Sequence, residues 1–208
     1  MSRLSWNSFL LLVGCLSALS LGPAHGDTES GLAQDGDANP ATQPVRNECL
    51  KTGDAVGVFY VTKVAGAEDD GVKPGEDLCY RCRYGSSPMV MVFARRVGGR
   101  VPELVKRIDA AVSMHKESRL KGLITLMGEN SSELRDAAGL VAEEAAVRNV
   151  PVTIAKEFKT GPLNYKLSSD AAVTVVVAKD SQVVNTHTFS ADKIDIAAVM
   201  HEVQQIVN

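Results

Sequence analysis

Segments with strand and helix patterns alternate from residue 88 to residue 207, and this alternation is what most limits the fold. Continuous apolar runs at residues 88–94 and 122–127 are typical of buried strands. Apolar side chains recur at helical spacing in residues 101–121 and 131–149. Strands that alternate with helices in this way predict a central parallel sheet with helices on both of its faces.

The end of the chain adds antiparallel strands to this sheet. A short strand at residues 151–155 and a short helix within residues 161–167 come first. Two β-rich runs then flank the turn sequence Lys-Asp-Ser-Gln at residues 179–182, which predicts a hairpin. Residues 190–208 have the apolar spacing of a helix whose N-cap would be Ser190. The predicted fold class is therefore α/β, with a central mixed sheet flanked by helices.

Residues 49–87 precede the first buried strand and predict an N-terminal strand extension of the sheet. Residues 56–64 are rich in β-branched and aromatic side chains, as strands are. Residues 65–77 are acidic and contain glycine and proline, which favours a loop. Residues 78–84 alternate only partly and predict a second strand or a turn.

The first 26 residues have the pattern of a secretory signal peptide. Arg3 supplies the positive charge, and residues 9–21 form an apolar run that is too short for a transmembrane helix. Small residues, Ala24 and Gly26, favour cleavage before Asp27. We therefore expect export to a secreted or periplasmic location, with no transmembrane segment after the signal is removed.

A second interpretation of the same region is a lipid anchor. Leu-Val-Gly-Cys at residues 12–15 resembles a lipobox, which would place the anchor on Cys15.

Residues 27–48 are polar, contain Gly, Pro and Asp, and lack apolar periodicity, so they predict a disordered linker. The predicted organisation is a signal peptide at residues 1–26, this linker, and one folded domain at residues 49–208.

Composition excludes some classes of partner. The net charge of -3 does not favour nucleic acid or an anionic membrane. Aromatic residues make up only 5% of the chain, which also argues against a surface on which bases would stack. We therefore expect no nucleic-acid partner.

Export affects the expected state of the cysteines, because thiols tend to pair in an oxidising compartment. If Cys15 leaves with the signal peptide, Cys49, Cys79 and Cys82 remain, which is an odd number. Cys79 and Cys82 form a Cys-x-x-Cys motif, which suits a redox dithiol, a metal clip or a structural disulfide. In the structural interpretation, the bond would join Cys49 to either Cys79 or Cys82.

The order of motifs resembles the redoxin group of thioredoxin-like proteins, which includes alkyl hydroperoxide reductase and thiol-specific antioxidant. "SSPMVMVFAR" followed by "VPELVKRI" is similar to the strand and helix that flank a redoxin active site. "GLITLMGENSSELRDAAGLVAEEAAVRNVPVTI" resembles the redoxin insert, and "LNYKLSSDAAVTVVVAKDSQVVNTHTF" resembles the run that leads into the hairpin. The resemblance covers residues 88–207 and implies a thioredoxin-like fold with a role in thiol-disulfide exchange or antioxidant reduction.

The chain departs from the redoxin pattern at the active site. Redoxins place their Cys-x-x-Cys between the first of these strands and its helix, where the helix N-terminus lowers the thiol pKa. Here that position is "ARRVGGR", residues 94–100, which has no cysteine. The Pro and Thr before a peroxidatic cysteine are also missing, and the expected cis-proline position lies near Ala172. No catalytic residue therefore transfers from the family.

The remaining hypothesis is that Cys79 and Cys82 are a relocated catalytic dithiol. Arg81 and Arg83 would favour the thiolate, and Cys49 would be a resolving or structural thiol. The predicted function is an exported thiol-disulfide oxidoreductase or antioxidant that needs no cofactor and acts on thiol or disulfide proteins of the cell envelope. The alternative is a non-catalytic thioredoxin-fold module that has a structural disulfide and binds a protein or metal partner.

Two further features have weaker interpretations. A zinc site would need Cys79 and Cys82 together with Cys49 or a histidine; the candidates are His115, His187 and His201. These residues are far apart in sequence, so we predict no metal site. His115 continues the apolar stripe of its helix, so we expect it to be a half-buried packing residue. Gly98 and Gly99 could form an anion-binding nest with nearby arginines, but a solvated turn is favoured. The arginines that would contribute to such a nest are Arg95, Arg96 and Arg100.

Overall fold

The structure is a computed structural model that describes residues 49–208. The predicted signal peptide at residues 1–26, the predicted linker at residues 27–48 and the alternative lipid anchor on Cys15 lie outside these residues. None of the helices in the described part of the chain is long and apolar enough to span a membrane.

The described residues form seven strands, four α-helices and two short 3-10 helices. The strands are β1 (Val61–Ala65), β2 (Asp77–Leu78), β3 (Met89–Ala94), β4 (Lys121–Leu126), β5 (Val152–Ala155), β6 (Val173–Lys179) and β7 (Gln182–Phe189). The α-helices are α1 (Tyr80–Tyr84), α2 (Val101–Met114), α3 (Ser131–Glu144) and α4 (Ile196–Val207), and the 3-10 helices are Glu68–Asp70 and Leu163–Tyr165.

All seven strands belong to one mixed sheet with the order β2-β1-β5-β4-β3-β6-β7. The central strands β3, β4 and β5 are parallel, as the alternating pattern predicted. The hairpin of β6 and β7 joins the sheet through β6, which pairs antiparallel to β3. At the opposite side of the sheet, β1 pairs antiparallel to β5, and β2 pairs antiparallel to β1 as the edge strand. The predicted α/β class, mixed sheet and N-terminal strand extension are therefore confirmed.

The three long helices share one face of the sheet rather than being divided between two faces. Helices α2, α3 and α4 pack in one core against Val90, Val92 and other side chains from that face. The reason is topological: β3, β4 and β5 follow one another in the same direction across the sheet. Right-handed crossovers in a single direction place both connecting helices, α2 and α3, on the same face.

Short elements close the opposite face. Its core contains Met91 and Phe93 from β3, and it is covered by α1, by residues 50–59 and by the 3-10 helix at Leu163–Tyr165. Tyr165 lies at the centre of an aromatic group, with ring centroids 5.0 Å from both Phe59 and Phe93. The short helix expected within residues 161–167 is present as this single 3-10 turn.

Several boundaries differ from the predicted ones. The first strand begins at Val61 rather than at residue 56, because residues 56–60 cross over the sheet and Val56 donates its N–H to Ser181 in the hairpin turn. The N-cap of α3 is Asn130, whose side chain accepts from the N–H of Ser132. The predicted cap Ser190 is wrong, since Asp195 caps α4 through the N–H of Ala198.

A buried carboxylate on α2 organises the connection between α3 and β5. Asp109 is 7% exposed, and its Oδ1 accepts the backbone N–H groups of Arg148, Asn149 and Val150 at 2.6–3.0 Å. Its Oδ2 accepts from Nδ2 of Asn149 at 2.8 Å. The side chain of Asp109 thus supplies acceptors for three backbone N–H groups that belong to no helix or strand.

We predict that Asp109→Ala lowers the free energy of unfolding by about 2–3 kcal/mol, because it leaves these donors without their acceptor. Chemical denaturation followed by circular dichroism measures the change. Asp136→Ala removes an exposed carboxylate from α3 and is the matched control; we expect it to change the stability by less than about 0.5 kcal/mol. Equal effects of the two substitutions would contradict the role assigned to Asp109.

Candidate dithiol site

Cys79 and Cys82 form a disulfide, with their Cα atoms 5.3 Å apart. Cys49 is a free thiol. The predicted structural pairing of Cys49 with either partner is therefore wrong. The Cys-x-x-Cys spacing explains why Cys79 pairs with Cys82. A separation of three residues at the start of a helix brings the two sulfurs within bonding distance without any movement of the rest of the chain.

The stretch at residues 78–84 is neither a full strand nor a turn. Strand β2 ends at Leu78, and helix α1 begins at Tyr80. Cys79 is the N-cap of α1, and its Sγ accepts the N–H of Cys82 at 3.0 Å. The partial alternation in the sequence gave no sign of this helix, because α1 has only five residues.

The two sulfurs differ in their access to solvent. Cys79 is 7% exposed and lies against the core, whereas Cys82 is exposed. Of the two cysteines, Cys82 is therefore the one that solvent and an incoming thiolate can approach. This asymmetry is what an exchange site needs, because the attacked sulfur must be accessible and the leaving sulfur must be held in place.

Both arginines near the disulfide are held by backbone carbonyls. Arg81 donates from Nε to Val56 at 3.0 Å and from Nη1 to Gly85 at 3.1 Å, and Arg83 donates from Nη2 to Asp70 at 2.7 Å. The ion pairs found within residues 49–208 involve neither guanidinium. Their positive charge thus remains uncompensated by a salt bridge, close in sequence to both sulfurs.

A buried lysine holds the loop that supports α1. Lys63 is 1% exposed, and its Nζ donates to the carbonyls of Ala67 and Val72 and to Oδ1 of Asp70, at 2.7–2.9 Å. Asp70 in turn accepts from the hydroxyl of Tyr80 with its Oδ2. The acidic loop predicted at residues 65–77 is therefore fixed to β1 at one end and to α1 at the other.

The electrostatics of this chain of contacts stabilise a charged carboxylate. Burial alone would raise the pKa of Asp70, but the hydrogen bonds from Lys63, Tyr80 and the N–H of Val72 outweigh it and lower the pKa below its ordinary value. Burial, and then the bond to Asp70, raise the pKa of Tyr80 well above its usual value, so its hydroxyl remains protonated as a donor.

Helix α1 is attached near the amino ends of β3 and β4. The hydroxyl of Tyr84 donates to the carbonyl of Gly122, which pairs with Val90 near the start of both strands. Burial raises the pKa of Tyr84 and keeps this hydroxyl protonated. The loop between β3 and α2 follows the carboxyl end of β3, so the disulfide and the position of a redoxin dithiol are at opposite ends of that strand.

The loop at residues 95–100 gives no support to an anion-binding nest, which was the less favoured of the two interpretations of this sequence. Arg100 turns away to Ile194 and Glu103, with Nη1 2.6 Å from the carbonyl of Ile194. Gly99 lies against Asp192, which is an unfavourable neighbour for an anion. Ala172, at the expected cis-proline position, pairs with Phe189 and accepts the N–H of Arg95.

The histidines do not join the cysteine pair. His115 ends α2 and is half-buried as predicted, His187 stacks on Phe189 in β7, and His201 is exposed on α4. No group of three metal-ligating side chains occurs within residues 49–208. Cys79 and Cys82 have no free thiolate to offer a metal while they are bonded to each other.

Comparison with known proteins identifies the fold. Neither a protein-family model nor a curated protein sequence matches the chain. A protein assigned as the thiol:disulfide interchange protein DsbE of Chlorobium tepidum superimposes with a TM-score of 0.56 and 12% identity, covering 76% of this chain and 99% of its own. Mycobacterium tuberculosis AhpC gives a TM-score of 0.56 at 11% identity, with 77% and 100% coverage. The reduced 2-Cys peroxiredoxin of Plasmodium vivax gives 0.54 at 12% identity, with 75% and 96% coverage.

These similarities establish a thioredoxin-like fold. The predicted resemblance is confirmed at the level of the fold, while identities this low say nothing about activity. The supporting contacts of Lys63, Asp70 and Tyr80 were not predicted. The only signal was Lys63 itself, the one charged residue in a predicted strand, since a lysine that faces the core requires buried acceptors.

Asp70 gives the first test of this site. Its lowered pKa stabilises the folded state fully above the unfolded-state value near 3.8, and this contribution is lost as the pH falls through the folded-state pKa. We predict that Asp70→Asn costs about 1–3 kcal/mol at pH 7. The difference from the unsubstituted protein should shrink below about pH 4.

Urea denaturation at several pH values checks this, with Asp69→Asn as the control. Asp69 is exposed and next in sequence, so it should give a small difference that depends little on pH. A constant deficit of Asp70→Asn down to pH 2 would contradict the assigned role of the carboxylate.

Proposed function

We propose that the chain is a thiol-disulfide oxidoreductase that works through Cys79 and Cys82. The observation that carries this proposal is the asymmetric disulfide at the start of α1, which joins the exposed residue Cys82 to the buried residue Cys79. Support also comes from the thioredoxin-like fold, which hosts this chemistry in other proteins.

The exchange begins when a substrate thiolate attacks Sγ of Cys82. The Cys79–Cys82 bond breaks, a mixed disulfide forms between the substrate and Cys82, and Cys79 leaves as a thiolate. A second substrate thiolate then attacks the substrate sulfur of the mixed disulfide and releases Cys82. The substrate dithiol has lost two electrons and two protons, and the protein has gained them as two thiols. The reverse sequence reduces a substrate disulfide.

The surroundings of Cys79 favour its role as the leaving group. The N–H of Cys82 is 3.0 Å from Sγ of Cys79 and can donate to the departing thiolate. Arg81 and Arg83, whose charges no ion pair within residues 49–208 compensates, add a positive potential. Tyr80, bonded to Asp70, keeps α1 in place while the disulfide is open.

We further propose that this exchange takes place outside the cytoplasm. The signal-peptide pattern at residues 1–26 supports export, and an oxidising compartment would keep the disulfide formed. The partners would be thiol or disulfide proteins of that compartment, and no cofactor is needed because the two sulfurs carry both electrons. A lipid anchor on Cys15 is the alternative means of retention.

The second candidate is a binding module in which the disulfide is structural. One observation favours it: α1 lies near the amino ends of β3 and β4 and not at the N-terminus of α2. A disulfide there lacks the long-helix dipole that lowers thiol pKa values in redoxins. In this case the bond would only hold α1 over the aromatic core.

Thiol labelling separates the two candidates. An alkylating reagent applied to the native protein, followed by peptide mass spectrometry, should modify Cys49 but neither Cys79 nor Cys82. After mild treatment with glutathione at neutral pH, the exchange function predicts label on Cys82 first and on Cys79 more slowly, because Cys79 is 7% exposed. Label that appears on either residue only after unfolding would support the structural role.

Activity is tested by the reduction of insulin with dithiothreitol as the electron source. We predict that the protein accelerates precipitation of the insulin B chain and that Cys79→Ser/Cys82→Ser returns the rate to the uncatalysed background. Cys49→Ser is the matched control and should retain at least half of the activity if Cys49 is not a resolving thiol. Equal rates for the protein and the double variant would remove the enzyme proposal.

A further inference from the structure

A cationic pocket lies at the end of the sheet opposite the disulfide. Its volume is about 590 Å³, which is within the range of small-molecule sites. Arg95 and Arg96 follow β3, Gly128 and Glu129 follow β4, and Lys159 follows β5. The pocket is therefore bounded by the segments that leave the carboxyl ends of all three parallel strands, which is where open α/β sheets bind ligands.

The charges that line this pocket are strongly unbalanced. Four cationic side chains line it: Arg95, Arg96, Lys159 and Lys166. The one carboxylate in the lining is that of Glu129, which is 3.4 Å from Lys159 in an exposed ion pair. An exposed pair of this kind is weak, so it neutralises the pocket only in part.

Arg95 is held rigidly in this lining. Its Nη1 and Nη2 donate to the carbonyls of Lys159 and Thr160 at 2.8 and 2.9 Å, which orients the guanidinium. Its Nε is buried and has no hydrogen-bond partner within residues 49–208. Carbonyl oxygens satisfy donors but carry no net charge, so the positive charge of Arg95 remains without a counter-ion.

Arg96 and Lys166 supply adjustable charges beside this fixed one. Both side chains are exposed, and neither occurs in an ion pair of the described part of the chain. A fixed guanidinium beside two mobile cations is suited to an anion with several acceptor oxygens, because each cation can meet a separate oxygen. Without such an anion, the like charges repel one another across the pocket.

We propose that this pocket binds a small polyanion, a molecule with two or more phosphate or carboxylate groups. Its anionic groups lie between Arg95, Arg96 and Lys166, and Lys159 exchanges its contact with Glu129 for the ligand. The site is distinct from the disulfide: it shares no residue with α1 and is formed from the other end of β3.

Isothermal titration calorimetry of the protein with inorganic pyrophosphate and with citrate tests the proposal. We expect saturable binding at one site that weakens as sodium chloride is raised. Binding of pyrophosphate alone assigns a phosphate ligand, binding of citrate alone assigns a carboxylate ligand, and binding of both assigns recognition by charge. No saturable binding of either probe overturns the proposal.

Charge reversal locates the site. Arg96→Glu/Lys166→Glu should weaken binding at least tenfold, since it replaces two attractive contacts with two repulsive ones. Lys106→Glu/Arg107→Glu makes the same change in net charge on exposed positions of α2, outside the pocket, and should weaken binding less than twofold. Equal losses in the two variants would show general attraction to the protein's charge and overturn the assignment. Far-ultraviolet circular dichroism verifies that both variants are folded.

Discussion

The ammonium group of Lys63 is the charge around which the candidate dithiol site is built. A lysine that is 1% exposed is tolerated only when its charge is paired and all three of its donors are bonded. Residues 67–72 fold back over β1 because they provide those acceptors, two carbonyls and the carboxylate of Asp70. The second oxygen of that carboxylate binds Tyr80, the first residue of α1. The position of the disulfide is thus linked to one buried charge through two residues, Asp70 and Tyr80.

Chain topology explains why such a site is available. The two crossovers that join β3, β4 and β5 place α2 and α3 on one face, and α4 packs there too. The other face is closed by short pieces only: α1, one 3-10 turn and an extended segment. A five-residue helix buries little apolar surface by itself. Its attachment therefore depends on specific bonds, those of Tyr80, Arg81 and Tyr84, and on the link between its two cysteines.

The long periodic elements could be predicted from the sequence because their apolar spacing repeats over several turns or along a whole buried strand. Strand β3, helix α2 and the hairpin are examples, and their order was enough to indicate a thioredoxin-like fold. Short or non-local features could not be predicted in this way. Helix α1 is shorter than two helical turns. The cap of α4 is Asp195 rather than Ser190, because the chain first makes a turn in which Lys193 donates its N–H to the carbonyl of Ser190, and both residue types are good caps. The bonds of Asp109 span about forty residues, and no local pattern encodes them.

The disulfide and the cationic pocket occupy opposite ends of β3, a strand whose six residues are all buried. This separation makes the two regions modular. Substitutions in the loop after Ala94 can change that end of the sheet while the contacts of α1 stay intact, and the reverse also holds. The two ends of one buried strand can therefore carry different chemistries within the same core.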